Sequence, residues 1–316
     1  MKPLHPGKHI IVVAGPTASG KSALASALAE NFAGEIVNAD SMQVYREFRI
    51  LTARPAVEDE KRIRHHLYGV VSAITPWSVG GWLGQVIPII EDMQIRRHLP
   101  IVCGGTGLYL KSLREGIAPV PDVPAGIVAQ ATSLYEKIGG TAFLEKLAEF
   151  DPQGASTLEP ADRQRLVRAF AVFRSTGRPL SDWQSVQSST PPLDAQFFTI
   201  HLIPPRDLLY QRIDERLARM MELGALDEIR NVRNRDFSPD LPAMKALGVS
   251  EFQRYLAGDI PMNDAIASAQ QRTRNFAKRQ LTWFRNQSRA DLIIEDFGNE
   301  QAVAMACQAI STVLSS

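Results

Sequence analysis

Gly15-Pro16-Thr17-Ala18-Ser19-Gly20-Lys21-Ser22 fits the pattern Gly-x-x-x-x-Gly-Lys-Ser in full. Its flanks are as restrictive as the pattern. Ile10 to Ala14 is a short apolar run that reads as a strand, and Ala23 to Phe32 carries Leu24 and Leu28 at helical spacing. A strand, a glycine-rich turn and a helix in that order point successive backbone N–H groups at one anion, at the positive end of the helix. Lys21 neutralises phosphate oxygens, and the Ser22 hydroxyl is placed to ligate Mg²⁺. The bland alternative is a glycine-rich connector. The motif points to phosphate binding and leaves open whose phosphate is bound.

Further strand-like runs follow. Ile36-Val37 ends in Asn38-Ala39-Asp40, and Ile101-Val102-Cys103 ends in Gly104-Gly105, with a helix from about Thr106 to Leu113. Phe197 to Ile203 is closed by Pro204-Pro205, with a helix from about Asp207 to Leu223. Strands alternating with helices predict an α/β fold, a P-loop NTPase-like parallel sheet covered by helices. Ligands of such sheets bind beyond the carboxyl ends of the strands, where these polar turns gather. The alternation stops between Gly116 and Gln196, a stretch that opens with Pro119, Pro121 and Pro124. Its interior reads as helices over Gly126 to Lys137, Thr141 to Ala148 and Ala161 to Ser175. The expected organisation is a catalytic core from residues 1–115 and 197–316, with a helical insertion domain at 116–196.

A chain of 316 residues is long enough for that arrangement. No apolar run approaches the roughly 20 residues that cross a bilayer, and Met1 to His9 lack the apolar core of a signal peptide. The two cysteines, Cys103 and Cys307, are too few for a disulfide framework or a four-cysteine zinc site. No membrane partner and a reducing cytoplasm are the expectations. Nothing marks a dimer seam, so a monomer is expected.

Net charge is +1, so only local clustering bears on nucleic acid. From Ala265 to Ala290 there is no acidic residue, yet Arg272, Arg274, Lys278, Arg279, Arg285 and Arg289 are cations. On a helical wheel Ile266, Ala269, Phe276, Ala277, Trp283 and Phe284 share one face, while Arg274, Lys278 and Arg285 line the opposite side. Such a stripe is either a solvated surface or a nucleic-acid face.

Several segments, in order along the chain, settle on one family. Gly15 to Ser22, Asp40-Ser41-Met42-Gln43-Val44-Tyr45-Arg46 and Gly104-Gly105-Thr106-Gly107-Leu108-Tyr109 are joined by His65-His66-Leu67 and Gln164-Arg165-Leu166-Val167-Arg168. Thr176-Gly177-Arg178-Pro179-Leu180-Ser181 and Ala277-Lys278-Arg279-Gln280-Leu281-Thr282-Trp283 complete the set. The chain resembles the tRNA dimethylallyltransferase (isopentenyltransferase) family, bacterial type, over nearly its whole length.

The resemblance implies transfer of a dimethylallyl group from dimethylallyl diphosphate to the exocyclic amine of adenosine 37 in the tRNA anticodon stem-loop. The base is modified after it leaves its stack. The family's catalytic aspartate falls on Asp40, which would take a proton from the attacking amine. A helix N-cap or an Mg²⁺ partner is the plainer alternative for Asp40. The diphosphate leaves with growing charge, and donors from the amides of Thr17 to Ser22, from Lys21 and from Mg²⁺ would meet it. Thr106 matches the family threonine beside the tRNA and the reacting centre; an N-cap is its alternative. Arg212 and Arg216 match basic positions, with diphosphate contact or plain solvation as the two readings. Asp40, Ser41, Met42 and Gln43, together with Gln164, Arg165, Leu166, Val167 and Arg168, fall on the family's tRNA-contacting segments. Arg165 and Arg168 lie three apart, on one helical side. Arg274 and Lys278 would extend that basic surface.

Three departures stand out. Leu51 replaces a glycine in Ile50-Leu51-Thr52-Ala53-Arg54-Pro55, Gly248-Val249-Ser250-Glu251 lacks the tyrosine and basic residue that often follow that glycine, and no zinc finger follows Trp283. His65-His66 and Cys103 read as structural, because adjacent histidines point apart and Cys103 closes a buried strand. The competing functions are an adenylate isopentenyltransferase, a P-loop small-molecule kinase and a nucleotide-gated RNA-binding protein without turnover.

Overall fold

The computed structural model describes residues 7–186, 191–235, 237–238 and 240–315. The chain forms two compact units, one from residues 1–114 and 192–316 and one from Glu115–Pro191. The first unit resumes at Pro192, ahead of its next strand, because Leu193 packs into its core.

The first unit opens with β1 (His9–Ala14), α1 (Lys21–Phe32), β2 (Gly34–Asn38), α2 (Val57–Arg62), β3 (His65–His66), α3 (Val79–Ile95), β4 (Leu99–Gly104) and α4 (Gly107–Glu115). The second unit holds α5 (Ala125–Ala148), α6 (Pro152–Ala155), α7 (Arg163–Thr176) and α8 (Leu180–Ser185). The first unit then continues with β5 (Gln196–Leu202), α9 (Arg206–Glu222), α10 (Ala225–Arg233), a 3₁₀ turn (Pro242–Lys245) and α11 (Val249–Ala257). It closes with α12 (Met262–Gln287), β6 (Leu292–Ile294) and α13 (Glu300–Ser315).

The strands pair in parallel in the order β3-β2-β4-β1-β5-β6. Strand β1 sits in the middle, with Ile11 opposite Ile101 of β4 and Phe198 of β5. Period-two alternation explains how both faces are covered. Ile11 and Val13 face Leu24, Leu28 and Ile310, on the side of α1 and α13. Ile10 and Val12 face Trp82, Val86, Ile90 and Phe284, on the side of α3 and α12. Each fully buried side chain of this kind stabilises the fold by about 1.5–3 kcal/mol. A third cluster, including Val44, Phe48, Leu51, Val249 and Phe252, builds the region from α9 to α12.

Burial also decides the end of the sheet away from the glycine-rich turn. Glu35 has a side chain only 6% exposed, and it accepts from Arg96 at the end of α3 and pairs with His66 of β3 at 2.7 Å. Burial pushes its carboxyl up, but hydrogen bonds and charge from Arg96 and His66 outweigh it and hold the group at about 2. His66 is thereby structural, and His65 turns to the Ile63 carbonyl at 2.8 Å.

In the second unit α5 comprises two helices that meet at the non-helical Gly139 (φ 77°), matching the two expected on either side of it. Phe143, Leu147, Leu166, Val167 and Phe170 form its core. Buried Asp151 accepts from Gly154 N at 2.7 Å and from Ser181 Oγ at 2.5 Å, pinning α8 to α6. No helix among the described residues is long and apolar enough to cross a membrane.

Candidate active site

The carboxyl ends of β1, β2 and β4 deliver three polar turns to one cavity of about 490 Å³. Thr17, Ala18, Gly20, Lys21 and Ser22 line it from the first turn, Asp40 and Gln43 from the second, and Cys103 and Gly104 from the third. Helix α9 adds Arg212, Glu215, Arg216 and Arg219, and the loop after β2 adds Thr52 and Ala53. The sequence therefore brings the phosphate turn, the carboxylate and both predicted arginines together.

The phosphate turn is shaped as the sequence requires. Gly20 (φ 92°) opens α1, and a Cβ there would lie 2.7 Å from the backbone nitrogen of Gly298. The Lys21 ammonium donates to the Pro16 carbonyl at 2.6 Å. Burial pulls Lys21 down to about 8, opposed by the charge of Asp40. Gly15 and Pro16 are buried beneath the turn and lie outside the cavity lining. Ser19 is fully buried, and its hydroxyl has no partner. One expectation needs correcting. The Thr17 amide does not face the cavity as a donor, because it donates to Gln280 Oε1 at 2.8 Å.

Asp40 is set by its neighbours. Asn38 accepts from the Asp40 amide at 2.8 Å and donates to its carbonyl at 3.0 Å. Trp82 Nε1 holds the Asn38 carbonyl at 2.8 Å. One Asp40 oxygen accepts from Met42 N at 2.9 Å, within a turn. No helix begins there, so the N-cap reading of Asp40 fails. Thr106 precedes α4, its carbonyl accepting from Tyr109 at 2.9 Å, while its hydroxyl accepts from Ser41 N at 2.9 Å. Thr106 thus caps α4 through its backbone and fastens the Asp40 turn through its side chain.

Arg216 donates to Thr17 Oγ1 at 2.6 Å, so a guanidinium spans from α9 to the phosphate turn. Desolvation lowers it to about 10. Arg212 lies over the Phe297 ring at 4.4 Å, on the cavity wall. Cys103 is buried and also touches the cavity, and burial pushes its thiol up to about 11. Ser22 presents a hydroxyl and Asp40 a carboxylate to the same space, both hard oxygen donors suited to Mg²⁺. Among the described residues no group of three or more His, Cys, Asp and Glu could hold a metal.

The remaining predicted positions divide by exposure. Met42 is half-buried against the third cluster, and Gln43 donates to the carbonyls of Thr52 and Ala53 at 2.8 and 3.0 Å. Leu166 and Val167 are buried in the second unit's core, so of the predicted α7 positions Gln164, Arg165 and Arg168 are the exposed ones. On α12, Lys278 is exposed, but Arg274 makes a two-bond ion pair with Asp214 at 2.7 and 2.8 Å. Its wheel position faces α9 rather than open solvent. Phe276 is half-buried, and the buried seam runs through Ala265, Ala269, Thr273, Ala277, Gln280, Leu281 and Phe284.

Sequence reasoning missed Gln280, Glu228 and Arg219. Glu228 accepts three successive amides, Arg49 N, Ile50 N and Leu51 N, at 2.8–3.0 Å, and so shapes the loop that carries Thr52 and Ala53. Only a three-residue rise of backbone N–H groups around a carboxylate could have flagged it, and that has no sequence signature.

The family model described as IPP transferase matches residues 43–287, and that described as isopentenyl transferase matches residues 8–68. The chain belongs to the IPP transferase family. A tRNA dimethylallyltransferase of Rhodospirillum centenum is 48% identical over 278 residues, 88% of each chain. One from Phenylobacterium zucineum is 49% identical over 88% of this chain and 90% of its own. Among solved structures, the tRNA isopentenylpyrophosphate transferase of Bacillus halodurans superposes with a TM-score of 0.69 at 29% identity, covering 98% of this chain and 97% of that one. A eukaryotic dimethylallyltransferase acting on tRNA gives a TM-score of 0.78 at 26% identity, covering 97% and 80%. Within this IPP transferase two departures from the family pattern meet in space. The Leu51 Cδ1 lies 3.1 Å from where a Cβ on Gly248 would sit, and Leu51 and Val249 share one buried cluster.

Proposed function

We propose that this IPP transferase moves a dimethylallyl group from dimethylallyl diphosphate to the N6 amine of adenosine 37 in tRNA. The observation that carries the reading is the shared cavity of Lys21, Arg216 and Asp40, in which the charge of Asp40 acts on both cations. A diphosphate and a base to be deprotonated need that combination. A kinase would set a carboxylate against a hydroxyl beside the same cations, so the family match is what favours the amine.

The N6 nitrogen attacks the first carbon of the dimethylallyl group, and the bond from that carbon to the diphosphate oxygen breaks. The diphosphate keeps the electron pair. Lys21, Arg216 and the amides of Ala18, Gly20, Lys21 and Ser22 face its growing charge, and Arg212 completes the wall. The N6 proton passes to the Asp40 oxygen that Met42 does not hold. An adenine amine is a weak nucleophile, and a fixed carboxylate relieves the positive charge that develops on it. Thr106 positions that carboxylate through Ser41. Ser22 would hold Mg²⁺, which when bound adds positive charge beside the leaving group.

The exposed residues Gln164, Arg165 and Arg168 of α7, and Lys278 of α12, would meet the RNA backbone, with Ser41, Met42 and Gln43 near the target base. Both cysteines are free, in keeping with a reducing cytoplasm.

The test offers labelled dimethylallyl diphosphate together with unmodified tRNA, AMP or a hydroxyl substrate with ATP. Label is expected in tRNA, at one adenosine beside the anticodon. Label in AMP, or consumption of ATP without prenyl transfer, would replace this reading.

A further inference from the structure

We infer that Gln280 is a positioning residue, a buried strut on α12 that sets the spacing between the diphosphate cradle and the turn that holds the catalytic carboxylate. Its carboxamide makes two bonds in opposite senses. Oε1 accepts from Thr17 N at 2.8 Å, and Nε2 donates to the Gly105 carbonyl at 2.9 Å. An amide N–H can only donate and a carbonyl can only accept, so the two partners fix which end of the carboxamide faces which turn. The side chain is only 6% exposed.

The contact is tight on the β4 side as well. A Cβ on Gly105 would lie 2.3 Å from Gln280 Nε2, and one on Gly107 would lie 2.4 Å from the Trp283 ring. Positions 280 and 283 are one helical step apart, so a single face of α12 grips the turn after β4 at two points. That turn carries Thr106, whose hydroxyl holds Ser41 N next to Asp40. On the other side Thr17 is also held by Arg216 through its hydroxyl. The path from cradle to carboxylate therefore runs Thr17, Gln280, Gly105, Thr106, Ser41, Asp40. Thr17 and Asp40 line the cavity, whereas Gln280 and Gly105 lie outside its lining.

This inference rests on the proposed prenyl transfer for its kinetic consequence, and on the hydrogen bonds alone for its structural one. Two variants separate them. Gln280→Leu removes both bonds at nearly constant volume. Gln280→Glu keeps an acceptor for Thr17 but sets a carboxylate oxygen against the Gly105 carbonyl. Both are expected to lower kcat about 100-fold, the scale of a misplacement of roughly 1 Å, with KM for tRNA within about threefold of the parent. In Gln280→Glu the deficit should shrink as pH falls, because a protonated carboxyl donates to Gly105 again. Amide exchange of a peptide spanning Gly15–Ser22 should quicken in Gln280→Leu, with β5 unchanged, whether or not the chain turns over tRNA. Unchanged exchange at that peptide would overturn the strut. So would variants with the parental kcat, or a loss that follows the folded fraction and ignores pH.

Discussion

At the residue scale, Lys21 makes a sign-definite prediction. Its ammonium is drawn down to about 8 by burial, so it is charged below that pH and neutral above it. A bound diphosphate stabilises the charged form, so binding takes up a proton in the alkaline range. Diphosphate affinity should therefore weaken as pH rises from 7 to 9. Lys21→Met should bind more weakly at neutral pH, by about tenfold, and lose that pH dependence. Titration calorimetry with inorganic diphosphate at three pH values checks both statements. A parental slope in Lys21→Met would assign the proton to another group. Lys21 was legible from the glycine-rich pattern, and Asp40, Arg212 and Arg216 from the family resemblance, whereas Arg219 carried no such signal. Gln280 was not legible either, since a neutral amide in a helix looks like any surface glutamine until the helix is docked.

Elements explain the uneven fate of the basic stripe. Periodicity in α12 gave the buried side correctly at Ala269, Ala277 and Phe284, but it could not say which neighbour each outer residue would meet. Arg274 meets Asp214 of α9, Arg272 meets Glu251 of α11, and Lys278 meets solvent. Lys278→Ala should raise KM for tRNA a few-fold and lower the slope of log affinity against log salt by about one, with diphosphate affinity unchanged. Arg274→Ala should act on stability instead, since it leaves Asp214 without its partner. Measuring tRNA binding across salt concentrations beside thermal unfolding distinguishes them. Equal salt slopes for both variants would show that the Asp214 pair opens to admit RNA. On α7 the same limit applies: a contiguous motif named Leu166 and Val167, yet helical geometry turned those two inward.

At the scale of the whole molecule, the strand–turn–helix repeats specified the parallel sheet, because each buried strand must be an unbroken apolar run and each carboxyl end must turn. The sheet order was not legible. It depends on which edges meet, and β1 lies between β4 and β5, both distant in sequence. Even so, the order matters for function, since it places the ends of β2, β4 and β1 side by side and so unites Asp40, Thr106 and Lys21. The second unit's helices were legible from periodicity, and its motif Thr176 to Ser181 turned out to serve its own architecture through Ser181 and Asp151. The division of labour inside the cavity is the core of the account: cations hold the leaving group, and one carboxylate takes the proton. The most direct test compares single-turnover prenyl transfer to tRNA with diphosphate affinity in Asp40→Asn, which preserves an acceptor for Met42. The account predicts transfer slowed by about 1,000-fold with diphosphate affinity within about threefold of the parent. Near-parental transfer in that variant would contradict it.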